Sequence, residues 1–83
     1  MIEEKLKELG IEIPTPPNPA GSYIPVVTTG NLAFVSGQIP MKEGKVVFEG
    51  KVPETQSIDS ARDAAKICII NGLAQLNANL GSL

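Results

Sequence analysis

The sequence predicts an α+β fold in which a small antiparallel sheet is covered by one long helix. Two observations carry this prediction. Two apolar segments that are rich in β-branched or alternating residues flank a Gly-Asn pair at residues 30–31, a pattern typical of a β-hairpin. A helical hydrophobic period then runs from residue 58 to residue 80. The 83 residues are enough for a single small domain, residues 1–83.

Residues 1–22 are predicted to form a short helix followed by a proline-rich arm. Ile2, Leu6 and Leu9 recur at helical spacing among charged residues, and Gly10 is a candidate helix stop. The segment IPTPPNPAG then holds four prolines in nine residues. Proline removes backbone donors and fixes φ, so this segment is an extended arm. It is either a linker or an arm laid over the domain.

Residues 23–52 are predicted to form three strands. The first two make the hairpin, and Pro25 indicates that the first strand lies at an edge or starts irregularly. A second turn around Gly44 leads to a short third strand in the segment VVFEGKV. Both faces of the second strand are apolar, so both are expected to be covered. One helix covers only one face, so the other face and the open edge are expected to need a further segment or another chain.

Residues 57–80 are predicted to form the long helix packed on the sheet, with Ser57 as its N-cap and Gly81 as its stop. The face toward the sheet is expected to be a stripe of apolar and small residues: Ile58, Ala61, Ala65, Cys68, Ile69, Gly72, Leu73, Leu76 and Leu80. Asn71 and Asn77 are expected on the helix surface or as polar residues in its packing.

Composition and charge narrow the classes of function. The formal net charge is −2, there is no basic run, and the aromatics are one tyrosine and two phenylalanines, so nucleic-acid binding is not expected. There is no histidine and only one cysteine, which argues against a structural metal site and favours the cytoplasm. The opening segment lacks the apolar core of a signal peptide, and no apolar run reaches the length of a membrane span.

Four stretches of the sequence resemble the YjgF/Rid family, whose members also carry the labels L-PSP endoribonuclease-like and translation initiation inhibitor. The stretches are PNPAGSY, GNLAFVSGQIP, GKV and the helical segment NGLAQL. The pentapeptide SGQIP after an alternating strand, with Pro-Ala-Gly-x-Tyr shortly before it, is the most specific part. The leading helix and arm resemble a subgroup with an extended N-terminus. The resemblance is firmest over residues 19–80.

The resemblance implies a chorismate-mutase-like fold, a homotrimer, and small-ligand clefts at the subunit interfaces. It also implies hydrolysis of enamines or imines by a deaminase that needs no metal or cofactor. These residues correspond to the N-terminal half of such a domain, and the family's substrate-clamping arginine and water-positioning glutamate lie beyond Leu83. No catalytic residue is therefore assigned, and whether the chain is an enzyme stays open. The alternatives are a non-catalytic binding module and a truncated or split family member that needs a second half.

The same resemblance implies four substrate-binding residues. Tyr23 would reach the cleft, where its hydroxyl orients water or a small carboxylate ligand. Ser36 and Gly37 would border the ligand, because the absence of a Cβ permits close backbone approach, and Gln38 would add hydrogen bonds. From the residues alone, Tyr23 is more simply interpreted as an edge-strand aromatic with a buried ring and a solvated hydroxyl, and the alternative for Ser36-Gly37 is a bulge or a close contact between strands. Cys68 is expected to serve core packing.

Overall fold

The computed structural model describes residues 2–16 and 21–83, and it confirms the predicted α+β fold class. The elements in chain order are α1 (Ile2–Glu8), β1 (Val26–Thr29), β2 (Leu32–Val35), β3 (Met41–Lys42), β4 (Lys45–Val46) and α2 (Ile58–Leu80). Residues 17–20, in the middle of the predicted arm, lie outside the described residues. The long helix α2 contacts β1, β2 and β3, so the strands and α2 form the body of the fold.

Both predicted turns are present, and each joins an antiparallel pair. In the β1–β2 hairpin Val26 is opposite Val35 and Thr29 is opposite Leu32, so the Gly-Asn pair forms a two-residue loop. Gly30 has φ 55°, as a type II′ turn requires at its first central position. The β3–β4 turn has φ 54° at Glu43 and 79° at Gly44. Two successive positive φ values are the pattern of a type I′ turn.

The strand region differs from the prediction of three strands over residues 23–52. The segment VVFEGKV does not form a third strand, because β4 ends at Val46 and pairs only with β3, so the described residues contain two separate two-stranded sheets. Gly50 has φ 116°, which is outside the strand region of backbone conformation. A turn follows in which the Thr55 N–H donates to the Lys51 carbonyl at 2.7 Å. This segment is therefore a loop leading into α2.

Helix α2 begins and ends where the sequence predicts. The Ser57 hydroxyl accepts a hydrogen bond from the Ser60 N–H at 3.0 Å, which satisfies one of the free donors of the first turn. At the other end Gly81 has φ 85°, and its N–H donates to the Asn77 carbonyl at 2.8 Å. The left-handed conformation at this position favours glycine. Both helix ends are thus determined by residues at or beside the ends.

The face of α2 that packs on the strands is not the predicted apolar stripe. The buried residues of α2 are Asn71, Ala74 and Gln75, with 3%, 1% and 8% of their surface exposed. Ile58 and Ile69 of the predicted stripe are 66% and 67% exposed. The spacing of 71, 74 and 75 is one helical face, turned away from that of Ile58 and Ile69. The buried face of α2 thus combines one alanine with two side-chain amides, and Ile58 and Ile69 lie outside it.

The hairpin β1–β2 is covered on one face only. Val26 is 5% exposed and faces α2, whereas on the opposite face Val27, Leu32 and Phe34 are 54%, 61% and 60% exposed. Among the described residues, Val26 and Ala74 are the only buried hydrophobic side chains. As expected for a sheet covered by one helix, the second face is left uncovered by the described residues, and its covering by another segment or chain stays a prediction. We call Val27, Leu32 and Phe34 the bare hairpin face.

Helix α1 forms as predicted and stands apart from the other elements. None of its residues is buried, and it packs against no other helix or strand in the described part of the chain. Gly10, with φ 73°, follows its last turn, where the Ile11 N–H donates to the Leu6 carbonyl at 2.9 Å. Within residues 2–16 and 21–83, no helix combines the length and the apolar character needed to cross a membrane.

Candidate functional site

The strand β2 ends because its neighbour lacks a backbone donor. The register that pairs Val26 with Val35 places Pro25 opposite Ser36, and the Ser36 N–H and Oγ both donate to the Pro25 carbonyl, at 2.9 Å and 3.2 Å. Proline has no N–H to return to the Ser36 carbonyl. That carbonyl instead accepts a hydrogen bond from Gln38 Nε2 at 3.2 Å. Gln38 therefore supplies the donor that Pro25 lacks, and the ladder stops there.

Gly37 lies between Ser36 and Gln38 and faces open space. A Cβ built on Gly37 would meet no atom of another residue within 4 Å, and its φ lies outside the positive range that disfavours other residues. The close approach expected at Gly37 is thus not made by any described residue of this chain. Neither turn geometry nor internal packing requires a glycine here. The open side leaves room for a ligand or for another chain.

Tyr23 lies at the same end of the hairpin, two residues before Pro25. Its side chain is 41% exposed, and its N–H donates to the Gly21 carbonyl at 3.1 Å. Within the described residues, no hydrogen bond joins the Tyr23 side chain to Ser36, Gly37 or Gln38. The chain therefore brings the four predicted site residues to one end of the β1–β2 hairpin without linking Tyr23 to the others. Their role in ligand binding stays a prediction.

Asn71 is the residue that sequence reasoning underestimated. It is buried at 3% exposure, and its Nδ2 donates to the carbonyls of Ile39 and Met41 at 3.0 Å and 2.9 Å. These two carbonyls flank Pro40, the last residue of the SGQIP pentapeptide. The available signal was a polar residue followed by glycine inside a long helix, where both have low helix propensity. Pattern alone did not say which face of α2 would be turned inward.

The charged residues of α2 do not take part in this end of the hairpin. Arg62, the single arginine of the sequence, is 3.8 Å from Asp59 on the exposed side of α2. An exposed ion pair of this kind contributes little to stability. The strand end after β2 is therefore built from uncharged groups: a hydroxyl, two side-chain amides and backbone carbonyls.

Two shallow depressions are present on the described surface, and the first adjoins the open end of the hairpin at Pro25. One, of about 240 Å³, lies between the start of β1 and the C-terminal half of α2, and its lining includes Ile24, Pro25 and Gln75. The other, of about 190 Å³, lies between the loop after β4 and the first turns of α2, next to Phe48 and Ala64. Neither is lined by Tyr23, Ser36, Gly37 or Gln38. The predicted site therefore lies outside these two depressions, and Gly37 within it faces open space.

Comparisons with known proteins place the fold in proteins of about twice this length. No family model matches the sequence. A crystal structure described as a "putative endoribonuclease" from Shewanella oneidensis matches 98% of this chain and 54% of its own, with a TM-score of 0.89 and 28% identity. The protein Atu1372 of Agrobacterium tumefaciens, described as having unknown function, matches 96% of this chain and 48% of its own, with a TM-score of 0.81 and 42% identity.

A curated relative is also matched over about half of its own length. Protein TCP17 of Trypanosoma cruzi is 29% identical over 82 residues, which are 99% of this chain and 51% of that protein. The chain therefore spans about half the length of each of these proteins. The helix, hairpins and long helix described above are the fold of half of the Shewanella oneidensis structure.

Proposed function

We propose that this chain forms the N-terminal half of a YjgF/Rid-like unit and that the open end of its β1–β2 hairpin is one wall of a cleft for a small carboxylate metabolite. The observation that carries the proposal is Gly37, which has open space where a Cβ would lie and for which nothing in the chain requires a glycine. Tyr23 and Gln38 would supply polar groups beside it. The match to half of the Shewanella oneidensis structure supports the family-level part of the proposal.

Metabolite binding is better supported than RNA cleavage, although the Shewanella oneidensis protein is described as an endoribonuclease. The net charge is −2 and there is no histidine, so the chain lacks both the basic surface that binds phosphates and the usual general base. A single cysteine also supports a reducing compartment such as the cytoplasm.

The activity that we propose for the completed unit is imine or enamine hydrolysis. An enamine first tautomerises to the imine by protonation of its β-carbon, water then adds to the C=N carbon, and ammonia leaves to give the carbonyl product. A carboxylate substrate is best held by a guanidinium group. Arg62 is paired with Asp59 away from the hairpin end, so the clamp would come from a second segment or a neighbouring subunit. The contribution of these 83 residues is then binding, and turnover would need the other part.

The bare hairpin face supports an assembled form. Three large apolar side chains on adjacent strands are more than half exposed, and contiguous exposed apolar groups mark interaction surfaces. We propose that this face is covered by neighbouring subunits, as in a homotrimer, or by a second chain that supplies the other half.

The binding proposal is tested by titrating the isotope-labelled protein, in the oligomeric form in which it is isolated, with pyruvate as the probe. We expect amide shifts at Tyr23, Gly37 and Gln38 in nuclear magnetic resonance spectra. Gly37→Leu should lower pyruvate affinity at least about tenfold, because its side chain enters the open space without meeting the chain's own atoms. Unchanged affinity in G37L, or shifts confined to the depression beside Gln75, would contradict the site.

The dependence of turnover on a second part is tested with a system that generates 2-aminoacrylate. The isolated chain should release no ammonia above the background rate. Release above background that is lost in G37L would show instead that this chain carries the catalytic groups itself.

A further inference from the structure

The segment between β2 and β3 carries the proposed ligand wall without being part of a sheet. Residues 37–40 have no strand partner in the described chain, although Gly37 and Gln38 would need a fixed position to bind a small ligand. The hydrogen bonds of the β1–β2 ladder end at Ser36, because its neighbour Pro25 has no N–H. The position of the segment must therefore come from contacts outside the ladder.

Those contacts come from α2. Asn71 Nδ2 donates to the carbonyls of Ile39 and Met41 at 3.0 Å and 2.9 Å, so both of its amide hydrogens are used on the two sides of Pro40. The next residue of α2, Gly72, also lies close to this segment. A Cβ on Gly72 would be 3.9 Å from the Cγ of Gln38. The Val47 N–H adds a bond to the Pro40 carbonyl at 3.0 Å.

Asn71 is suited to hold this segment. At 3% exposure it has little competition from water, and two carbonyl acceptors determine the orientation of a planar amide that has two donors. Aspartate at this position offers no donor when ionised, and leucine has the same shape but offers none at all. A buried amide of this kind fixes backbone groups that are distant in sequence, here thirty and thirty-two residues away.

We propose that Asn71 is a positioning residue for the ligand wall formed by Gly37 and Gln38. It acts through the backbone of Ile39 and Met41 and does not itself touch the ligand. The inference rests on the proposed function, because it assigns Asn71 to the same site. With the segment held in place beforehand, ligand binding does not have to order it, and such preorganisation raises affinity.

The test compares Asn71→Leu, and Asn71→Ser as a milder variant with one donor, with Ser57→Ala. The Ser57→Ala variant weakens α2 at its N-cap, far from the segment. Two quantities are measured on each protein: pyruvate affinity, and backbone order parameters from nuclear magnetic resonance relaxation. In N71L we expect the order parameters of Gly37 and Gln38 to fall from about 0.85 toward 0.6 and pyruvate affinity to fall at least about tenfold. N71S should lie between N71L and the parent.

The control separates positioning from stability. In S57A both quantities should match the parent, although the melting temperature falls. Equal losses in S57A and N71S at comparable melting temperatures, or parental order parameters in N71L, would overturn the inference. If the parent itself does not bind pyruvate, the binding proposal fails on its own, and the order parameters at Gly37 and Gln38 still decide whether Asn71 holds the segment.

Discussion

At the scale of single residues, the end of strand β2 is explained by a backbone N–H that Pro25 lacks and by the Gln38 side-chain amide that donates in its place. Pro25 cannot donate to the Ser36 carbonyl, and Gln38 Nε2 does so at 3.2 Å. The β1–β2 ladder therefore stops at the small polar residues of the SGQ sequence. Ser36 and Gln38 each make a hydrogen bond within the chain. Of these three residues, Gly37 alone has no packing or turn role among the described residues.

A double-mutant cycle can measure whether the Gln38 side chain replaces the backbone donor that Pro25 lacks. Gln38→Leu should lower the free energy of unfolding by about 1 kcal/mol, because the Ser36 carbonyl loses its partner. Pro25→Ala restores a backbone N–H opposite that carbonyl, so Gln38→Leu should cost less in that background. The measurement is urea denaturation of the four proteins. Equal costs in both backgrounds would show that Gln38 does not replace the ladder donor.

At the scale of elements, the face of helix α2 that is buried differs from the face that its hydrophobic pattern predicts. Ile58 and Ile69, two large members of the predicted apolar stripe, are exposed, and the buried face of the helix holds Asn71 and Ala74. Periodicity measures only where large apolar groups lie around a helix. Which face is buried depends on how the side chains fit the strands, and here the buried face combines one alanine with two amides.

The orientation of α2 is tested by enlarging one alanine on each side. Ala74→Leu places a larger side chain where the parent is 1% exposed, so it should destabilise the protein by about 1–3 kcal/mol through overpacking. Ala65→Leu, on the exposed side of the same helix, should change stability by about 0.5 kcal/mol or less. Thermal unfolding of both variants makes the comparison. The reverse ranking would support the stripe that the sequence predicts.

At the scale of the whole molecule, the chain buries little apolar surface for its size. Two hydrophobic side chains are buried among the described residues, while the bare hairpin face and α1 have no partner within the described part of the chain. Small domains have thin cores and are often supplemented by association. The chain matches about half the length of the two solved structures, and covering of its exposed apolar surface by a further segment or subunit is a proposal.

The bare hairpin face should control association. Phe34→Lys places a charge in this face and should reduce the mass measured by light scattering to that of one chain. Ile69→Lys, at a site on α2 that is 67% exposed against 60% for Phe34, should leave the mass of the parent unchanged. A parent protein that is a compact monomer with a cooperative melting transition would refute the role of this face.

Local features of the fold were predictable because neighbouring residues determine them. The hairpin loop at Gly30, the turn at Gly44 and the two ends of α2 each depend on backbone conformations and caps within a few positions. The third strand was not predictable from its β-branched residues, because the left-handed conformation at Gly50 and the turn after it outweigh strand propensity. The four candidate site residues were proposed through a motif, and their role in ligand binding stays a prediction; the register places Ser36 opposite Pro25 at the open end of the hairpin.

The sequence by itself determined the α+β class, the positions of both turns and both ends of α2, since these are decided by short-range sterics and hydrogen bonding. Only the tertiary structure decided which face of α2 is buried, that the strands divide into two hairpins, and that Asn71 holds the segment after β2. These depend on how closely elements distant in the chain approach each other. That distance is set by the summed packing of many side chains, which no local pattern contains.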